Sequence, residues 1–293
     1  MEIYRYKFFA MGGSGEVVIG HEDSHMAENY ASLAIAEVLR IEKKYSRYLE
    51  DSIVSKINQS FENGPFNCDE ETWSLLLYAD QLFKISDGLF DITSGTLRKI
   101  WDFKKRICPS LVEIEEIINL IGWNKVDLSD RQVRLLNAGT ELDFGGFGKE
   151  YAADCATKIL SQTSKCAYIN IGGDFSFTGP KPSGDPWLIG IQDPRNSGNI
   201  VATVPVSSGG LATSGDYERY FEIDGVRYCH ILNPKTGYPV NYWRSVSVAA
   251  ANCSVAGSSS TIALLHNQSG LEFLSNSGLD YLAINNENVF FQS

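Results

Sequence analysis

The sequence predicts an α+β fold, and three observations support this. Helical segments and hairpin-like strand pairs follow one another without the regular strand–helix alternation of a doubly wound parallel sheet. Ser110 and Glu113 have the spacing of a capping box, which predicts the start of a helix. Asp224 and Gly225 have the composition of a two-residue hairpin turn between apolar flanks. Nothing in the chain marks a boundary, so a single domain over residues 1–293 is expected.

The individual elements follow from hydrophobic periodicity and from turn and cap residues. Helices are expected at about 25–47, where apolar residues recur at helical spacing, and at 69–85, 110–122, 149–160 and 254–266. Strands are expected at 4–9 and 16–20 around a glycine turn at 12–15, at 167–171 and 187–191, in a hairpin at 220–228, and at 245–250, 281–284 and 289–292.

Composition limits the classes of function. The chain has 293 residues, of which 43% are hydrophobic and 21% charged, and this is typical of a globular protein. The net charge of −11 argues against general nucleic-acid binding, which needs a basic surface. No apolar run of membrane-spanning length is present, and the first residues lack the apolar core of a signal peptide. A cytoplasmic protein without a membrane span is therefore expected.

Two motifs resemble known sites but fail on their context. Residues 21–25 fit the zinc-protease pattern H-E-x-x-H, which needs both histidines on one continuous helix. Asp23 and Ser24 are N-cap residue types, so His21 is expected to precede the helix that carries His25. Residues 143–150 resemble a phosphate-binding loop, but Asp143 replaces its first glycine and Glu150 stands where Mg²⁺ needs Ser or Thr.

Four segments combine glycines, hydroxyls and acids with one histidine. They are Asp143–Lys149, Ile169–Asp174, Thr213–Tyr217 and His230–Gly237. Glycines before a helix start let backbone N–H groups approach a diphosphate, and a histidine at a strand end can act as a general base. Each segment taken alone is also ordinary turn composition. The four together, arranged around His230, favour a binding site.

This ordered set resembles the ApbE family, the FAD:protein FMN transferases. The resemblance extends from Met11 to about His266 and includes residues 45–48, 55–58, 86–93 and 143–154. Its most specific parts are the Ser-Gly-Asp-Tyr segment that begins at Ser214 and the His-Ile-x-Asn-Pro-x-Thr-Gly segment that begins at His230. It implies one domain of mixed or antiparallel sheets flanked by helices, related to the T-fold and containing a cleft.

The resemblance implies that the protein binds FAD, cleaves its pyrophosphate with Mg²⁺, and passes FMN to a Ser or Thr hydroxyl of a partner flavoprotein while AMP leaves. His230 matches the residue that takes the proton of the acceptor hydroxyl. The implied metal ligands are Gly146, Ser260 and Thr261. The implied FAD-binding residues are Met11, Tyr48, Leu89, Phe90, Asp91, Asp143, Lys149, Thr213, Ser214, Gly215, Asp216 and Ile231. Tyr48 and Phe90 are also candidates for core aromatics, and Asp91 for a helix cap.

The chain departs from the family pattern at two positions. Gly257 stands where the family has a metal-binding aspartate on its last long helix, and Glu150 stands where the family usually has glycine. Loss of a carboxylate is expected to weaken Mg²⁺ binding, and an added charge at Glu150 is unfavourable near a diphosphate unless it points away or joins a cation. Two alternatives therefore stay open: a non-catalytic FAD-binding protein with a decayed metal site, and an FAD pyrophosphatase.

Overall fold

A computed structural model describes all residues from 1 to 293. Its main feature is an eight-stranded sheet in the order β1-β2-β6-β7-β10-β13-β14-β15, in which every neighbouring pair is antiparallel. The strands are β1 Glu2–Ala10, β2 Gly13–His21, β3 Phe66–Asn67, β4 Val126–Ser129, β5 Gln132–Leu135, β6 Ala167–Ile171, β7 Asp174–Phe177, β8 Trp187–Gln192, β9 Ile200–Val206, β10 Gly209–Gly215, β11 Tyr220–Ile223, β12 Val226–Cys229, β13 Trp243–Ala250, β14 Asp280–Asn285 and β15 Phe290–Gln292.

The chain contains eight α-helices. They are α1 Ser24–Tyr45, α2 Ile53–Asn58, α3 Ser60–Asn63, α4 Glu70–Ile85, α5 Leu111–Ile118, α6 Gly148–Leu160, α7 Cys253–Leu265 and α8 Gly270–Ser277. Helices α1, α6 and α7 pack on the sheet, and alanines at their contact faces allow close approach. No helix is both long and apolar enough to cross a membrane.

A second apolar layer covers part of the opposite face. The hairpin β8–β9 contributes Trp187, Ile189 and Ile191, which pack with Val18 and Tyr168 of the main sheet. Alternation of buried and exposed residues along β8 is the expected pattern for a strand with one face on a core. A three-stranded sheet (β3-β5-β4) and the hairpin β11–β12 complete the strands. The prediction of an α+β fold with antiparallel sheets is confirmed.

Several segments that carry the predicted site meet at one end of the main sheet. Met11 lies in the turn between β1 and β2, and β6 ends at the glycine turn 172–173 that leads to Asp174. The pairing of Gly15 with Ile171 and of Leu211 with Phe175 places the end of β10, at Gly215, at this same end. Antiparallel register therefore gathers residues that are distant in sequence.

The structure corrects three sequence expectations. The turn between the first two strands occupies only residues 11–12, because residues 13–15 pair as part of β2. The helix expected at 110–122 ends at Ile118, and Gly122, with a φ of 145°, precedes a short 3₁₀-helix at Trp123–Lys125. Thr213–Gly215 is the end of β10 rather than a turn, since it pairs along its length with β13.

Candidate functional site

The approach to helix α6 carries the first predicted residues of the site. Asp143 caps a 3₁₀-helix at Phe144–Gly146, where its carboxylate accepts a 2.8 Å hydrogen bond from the N–H of Gly145. The same carboxylate lies 3.1 Å from both the Arg47 and the Arg98 guanidinium. Helix α6 then begins at Gly148 with no side-chain cap. Its first N–H groups are thus left for water or an anion.

Lys149 and Asp174 join this helix to the sheet. The Lys149 ammonium donates to the Asp174 carboxylate at 2.7 Å, and the N–H of Thr213 donates to the other Asp174 oxygen at 3.4 Å. The Asp174 carboxylate raises the pKa of Lys149 above its ordinary value. Thr213 in turn shares a 2.8 Å hydrogen bond with the hydroxyl of Ser247. Helix α6, β7, β10 and β13 are therefore connected at the site.

A cluster of hydroxyls connects β10 to helix α7. The Ser214 hydroxyl lies 2.6 Å from that of Ser260 and 2.9 Å from that of Thr261. The Ser260 hydroxyl also donates to the carbonyl oxygen of Gly257 at 2.9 Å. Helix α7 contacts the 3₁₀-helix that contains Gly146 as well. The structure thus brings Ser260 and Thr261 together and places Gly146 on an element that touches their helix.

His230 lies beyond the hairpin β11–β12, and its backbone N–H donates to the carbonyl of Arg219. Its ring is half-buried, and Nδ1 is shielded from solvent without a hydrogen-bond partner. Burial, together with the positive charges of Arg98, Arg219 and Lys149, lowers the pKa of His230 to about 3. The imidazole is therefore neutral at pH 7, which is the protonation state that a general base needs before it acts.

Asp216 and its neighbours shape the end of β10. The Asp216 carboxylate accepts two hydrogen bonds from the Arg195 guanidinium, at 2.7 and 2.6 Å, and lies 3.6 Å from Arg227. A Cβ at Gly215 would lie 2.4 Å from the Tyr217 ring, so this position requires glycine. Ile231 packs against the main core. Asp216 is thus a paired group that fixes the loops around the site.

Met11 and Tyr48 lie at the surface of this region. Met11 has a left-handed φ of 56°, and its N–H donates to the Glu42 carboxylate at 2.7 Å. Tyr48 is 78% exposed, and the Arg47 guanidinium lies 5.9 Å from its ring centre. Tyr48 is therefore not a core aromatic. An exposed aromatic beside a cation can pack against a planar ligand.

Leu89, Phe90 and Asp91 have structural partners. Leu89 packs against the main core, and Phe90 belongs to that core and would lie 2.9 Å from a Cβ at Gly146. Asp91 caps the 3₁₀-helix at Ile92–Lys99 by accepting hydrogen bonds from the N–H and hydroxyl of Thr93. Burial raises the pKa of Asp91. The core and cap interpretations of Phe90 and Asp91 describe these contacts, and their contact with FAD stays a prediction.

Comparison with known proteins agrees with this arrangement. The sequence model of the ApbE family matches residues 11–283. The chain belongs to the ApbE family. FAD:protein FMN transferase of Haemophilus influenzae is 29% identical over 85% of this chain and 77% of its own length. The protein of that name from Treponema pallidum is 30% identical over 77% and 70%. The crystal structure of the ApbE protein of Thermotoga maritima superposes with a TM-score of 0.92, at 34% identity, over all of this chain and 97% of that one.

The two departures from the ApbE pattern lie against each other. Glu150 is in the first turn of α6, and its side chain points toward α7 rather than into solvent. A Cβ at Gly257 would lie 2.5 Å from both Cγ and Oε1 of Glu150. The Glu150 side chain therefore occupies the space that a side chain at position 257 would need. This relationship could not be seen from either position alone.

Sequence reasoning also missed two cations of this ApbE site. Arg98 and Arg219 contribute positive charge at His230, and a guanidinium nitrogen of Arg219 lies 3.1 Å from where a Cβ of Gly12 would be. Arg219 follows the Ser-Gly-Asp-Tyr segment by two residues, which is the only local signal for it. Arg98 has no such signal, because its position depends on the 3₁₀-helix that Asp91 caps.

A groove elsewhere on this ApbE chain does not involve the predicted site. It has a volume of about 600 Å³ and is lined by residues of α4, α6 and the start of α7, including Tyr78, Asp154 and Ser254. None of the residues that the ApbE resemblance implies for FAD or metal lines it. The two ends of α6 thus face different surfaces.

Proposed function

We propose that this protein transfers FMN from FAD to a Ser or Thr hydroxyl of a partner protein, releasing AMP, and that residues 1–293 form one domain for this purpose. The main support is membership of the ApbE family over residues 11–283. A second support is His230, whose imidazole is neutral, has an Nδ1 atom shielded from solvent, and lies near the positive charges of Arg98, Arg219 and Lys149. In the reaction, the hydroxyl oxygen bonds to the phosphorus of the FMN half, the bond to AMP breaks, and His230 accepts the hydroxyl proton.

The residues at the sheet end fit a diphosphate. A Cβ at Gly148 would have no neighbour within 4 Å, so there is space in front of the uncapped start of α6. Backbone N–H groups at a helix start favour an anion, and Lys149, Arg98 and Arg219 add positive charge. Stabilising phosphate charge and positioning the reactants supply most of the catalysis in phosphoryl transfer.

The residues also fit a divalent cation such as Mg²⁺. The buried Oε2 of Glu150 has no hydrogen-bond partner, and the hydroxyls of Ser260 and Thr261 lie on the facing helix. Oxygen atoms of this kind are the ligands that Mg²⁺ prefers. A bound cation would offset negative charge on the phosphate oxygens. No member of this set is a nitrogen or sulfur ligand of the kind that favours zinc.

Incubation with FAD, Mg²⁺ and a panel of candidate acceptor flavoproteins tests the proposal. The expected result is covalent flavin fluorescence on an acceptor in a denaturing gel, with one AMP released for each flavin attached. His230→Gln should reduce the rate by at least about 100-fold, as expected on loss of a general base. Free FMN released without any acceptor would instead identify an FAD pyrophosphatase. FAD binding without any AMP would identify a binding protein.

A further inference from the structure

Glu150 is the one acid at the site whose carboxylate keeps an unsatisfied buried oxygen. The residue is 5% exposed, and its Oε2 is shielded from solvent without a hydrogen-bond partner. An ionised carboxylate in such a place is costly unless it meets a proton or a cation. The neighbouring Lys149 ammonium donates to Asp174 at 2.7 Å, so it does not serve as the hydrogen-bond partner of Glu150.

The other buried or half-buried acids around the site already have partners. These pairs are Asp91 with Thr93, Asp143 with Arg47 and Arg98, Asp174 with Lys149, and Asp216 with Arg195. A cation that displaced one of these contacts would leave a guanidinium, ammonium or hydroxyl without its acceptor. Glu150 is therefore the buried carboxylate most available to a cation that enters from outside.

The surroundings of Glu150 supply further oxygen atoms. Its carboxylate lies in the space beside Gly257, and the Gly257 carbonyl accepts from the Ser260 hydroxyl at 2.9 Å. Ser214 connects that hydroxyl to Thr261. The absence of a side chain at position 257 is what admits the carboxylate to this turn of α7.

We propose that Glu150 is the anionic ligand of a divalent cation held between α6 and α7, with hydroxyls of Ser260 and Thr261 as neutral ligands. The carboxylate reaches the cation from α6, across the gap that Gly257 leaves in α7. This assignment rests on the proposed function for the presence of a cation, but it concerns which residue of this chain holds that cation.

Binding of Mn²⁺ to the full-length chain, measured by the electron paramagnetic resonance of free Mn²⁺ with and without FAD, tests the assignment. Glu150→Gln keeps the shape of the side chain and removes its charge, and it should weaken Mn²⁺ binding by at least about ten-fold. Glu115→Gln, an exposed acid on α5, is the matched control and should bind Mn²⁺ like the unmodified chain. The double variant Glu150→Gly/Gly257→Asp moves the carboxylate to α7 and should recover most of the lost affinity.

Thermal unfolding of the same variants separates ligation from folding. Mn²⁺ should raise the Tm of the unmodified chain and of the double variant, and at the same Mn²⁺ concentration it should raise the Tm of Glu150→Gln by less. A purely structural Glu150 would instead leave the Mn²⁺-dependent rise in Tm intact in Glu150→Gln. Unaltered Mn²⁺ affinity in Glu150→Gln, no Mn²⁺ binding by the unmodified chain, or no recovery in a folded double variant would each overturn the assignment.

Flavin fluorescence in the same titrations distinguishes this assignment from the proposed function. If FAD does not bind to the unmodified chain, the proposed function fails. If FAD binds and FMN is transferred, but Glu150→Gln binds Mn²⁺ as tightly as the unmodified chain, only the role of Glu150 fails.

Discussion

The Lys149 ammonium lies 2.7 Å from the Asp174 carboxylate, and the two side chains differ greatly in their exposure to water. Asp174 is 3% exposed whereas Lys149 is 36% exposed. Loss of the lysine would leave a carboxylate in a dry environment, while loss of the carboxylate would leave an ammonium that still reaches water. The energetic cost of breaking this pair should therefore depend on which partner is removed.

We expect Lys149→Met to lower the free energy of unfolding by about 3 kcal/mol, since it leaves the buried Asp174 carboxylate without its cationic partner. Asp174→Asn should cost only about 1 kcal/mol, because Lys149 remains hydrated and Asn still accepts from the N–H of Thr213. Urea denaturation measures both values. Lys158→Met, an exposed lysine on the same helix, is the control. Equal losses for the two partners would contradict the difference in burial.

Gly148→Ala should weaken FAD binding without destabilising the protein. A Cβ at this position has no protein neighbour within 4 Å and would occupy the space in front of α6. Alanine in place of glycine in a helix contributes up to about 1 kcal/mol of stability, so the free energy of unfolding should not fall. Fluorescence titration with FAD measures the affinity. Gly198→Ala is the control: Gly198 lies in a loop, the nearest heavy atom is 3.9 Å from the new Cβ, and neither FAD affinity nor stability should change. Unchanged FAD affinity in Gly148→Ala would place the diphosphate elsewhere.

His230 should make the protein less stable in acid. The unfolded imidazole takes up a proton below about pH 6.5, while burial holds the pKa of the folded imidazole at about 3. The unfolded state therefore binds more protons between these values, and its population should rise by up to about ten-fold for each unit that the pH falls. His230→Gln should show a shallower loss of stability from pH 6.5 downward, measured by urea denaturation at each pH. Identical pH profiles would mean that the ring is hydrated in the folded protein.

FAD should raise the pKa of His230. A diphosphate near Arg98, Arg219 and Lys149 offsets the positive charges that disfavour a protonated imidazole. Histidine signals in NMR spectra, followed against pH with and without FAD, measure the shift. AMP alone, which lacks the diphosphate, is the control ligand. A shift to lower pKa on adding FAD would show that the diphosphate binds away from these cations.

Gly95→Ala should displace Asp143. The new Cβ would lie 2.6 Å from the Cβ of Asp143, whose carboxylate is held by Arg47 and Arg98. Overpacking of this kind lowers the free energy of unfolding by about 1–3 kcal/mol. Chemical denaturation of the FAD-free protein measures this loss, and Gly148→Ala in the same assay is the control. A fully stable Gly95→Ala variant would show that the Asp143 segment can shift at little cost.

Local signals in the sequence predict the elements that local interactions form. The capping box at Ser110 is present, and the hairpin turn at Asp224 and Gly225 has the positive φ values that its composition indicates. Asp23 caps α1, so His21 and His25 lie on different elements as expected. Strand β10 has no comparable signal, because its small and hydroxyl-bearing residues are held extended by pairing with β7 and β13.

The candidate site is predictable in part for the same reason. Motifs indicate Lys149, Ser214 and His230, but they do not reveal which distant side chain each one meets. The sequence does not indicate that Arg195 holds Asp216, which is a contact seen only in the structure. The core contacts of Phe90 and the cap hydrogen bonds of Asp91 match the alternatives that the sequence leaves open, and the contact of these residues with FAD stays a prediction. Only the packing of α6 against α7 brings Glu150 beside Gly257.

The overlap between Glu150 and any side chain at position 257 also determines how this region can change. Each position taken alone suggests a weakened metal site, because position 257 lacks the acid that the family has there and position 150 has an acid that the family lacks. In the structure, the two differences together amount to one carboxylate that has moved from α7 to the neighbouring α6. A mutational scan that alters one residue at a time would either add an acid at position 257 beside Glu150 or remove Glu150 and leave a gap. Only a library that changes both positions together would find the arrangement with the acid at position 257 and glycine at position 150.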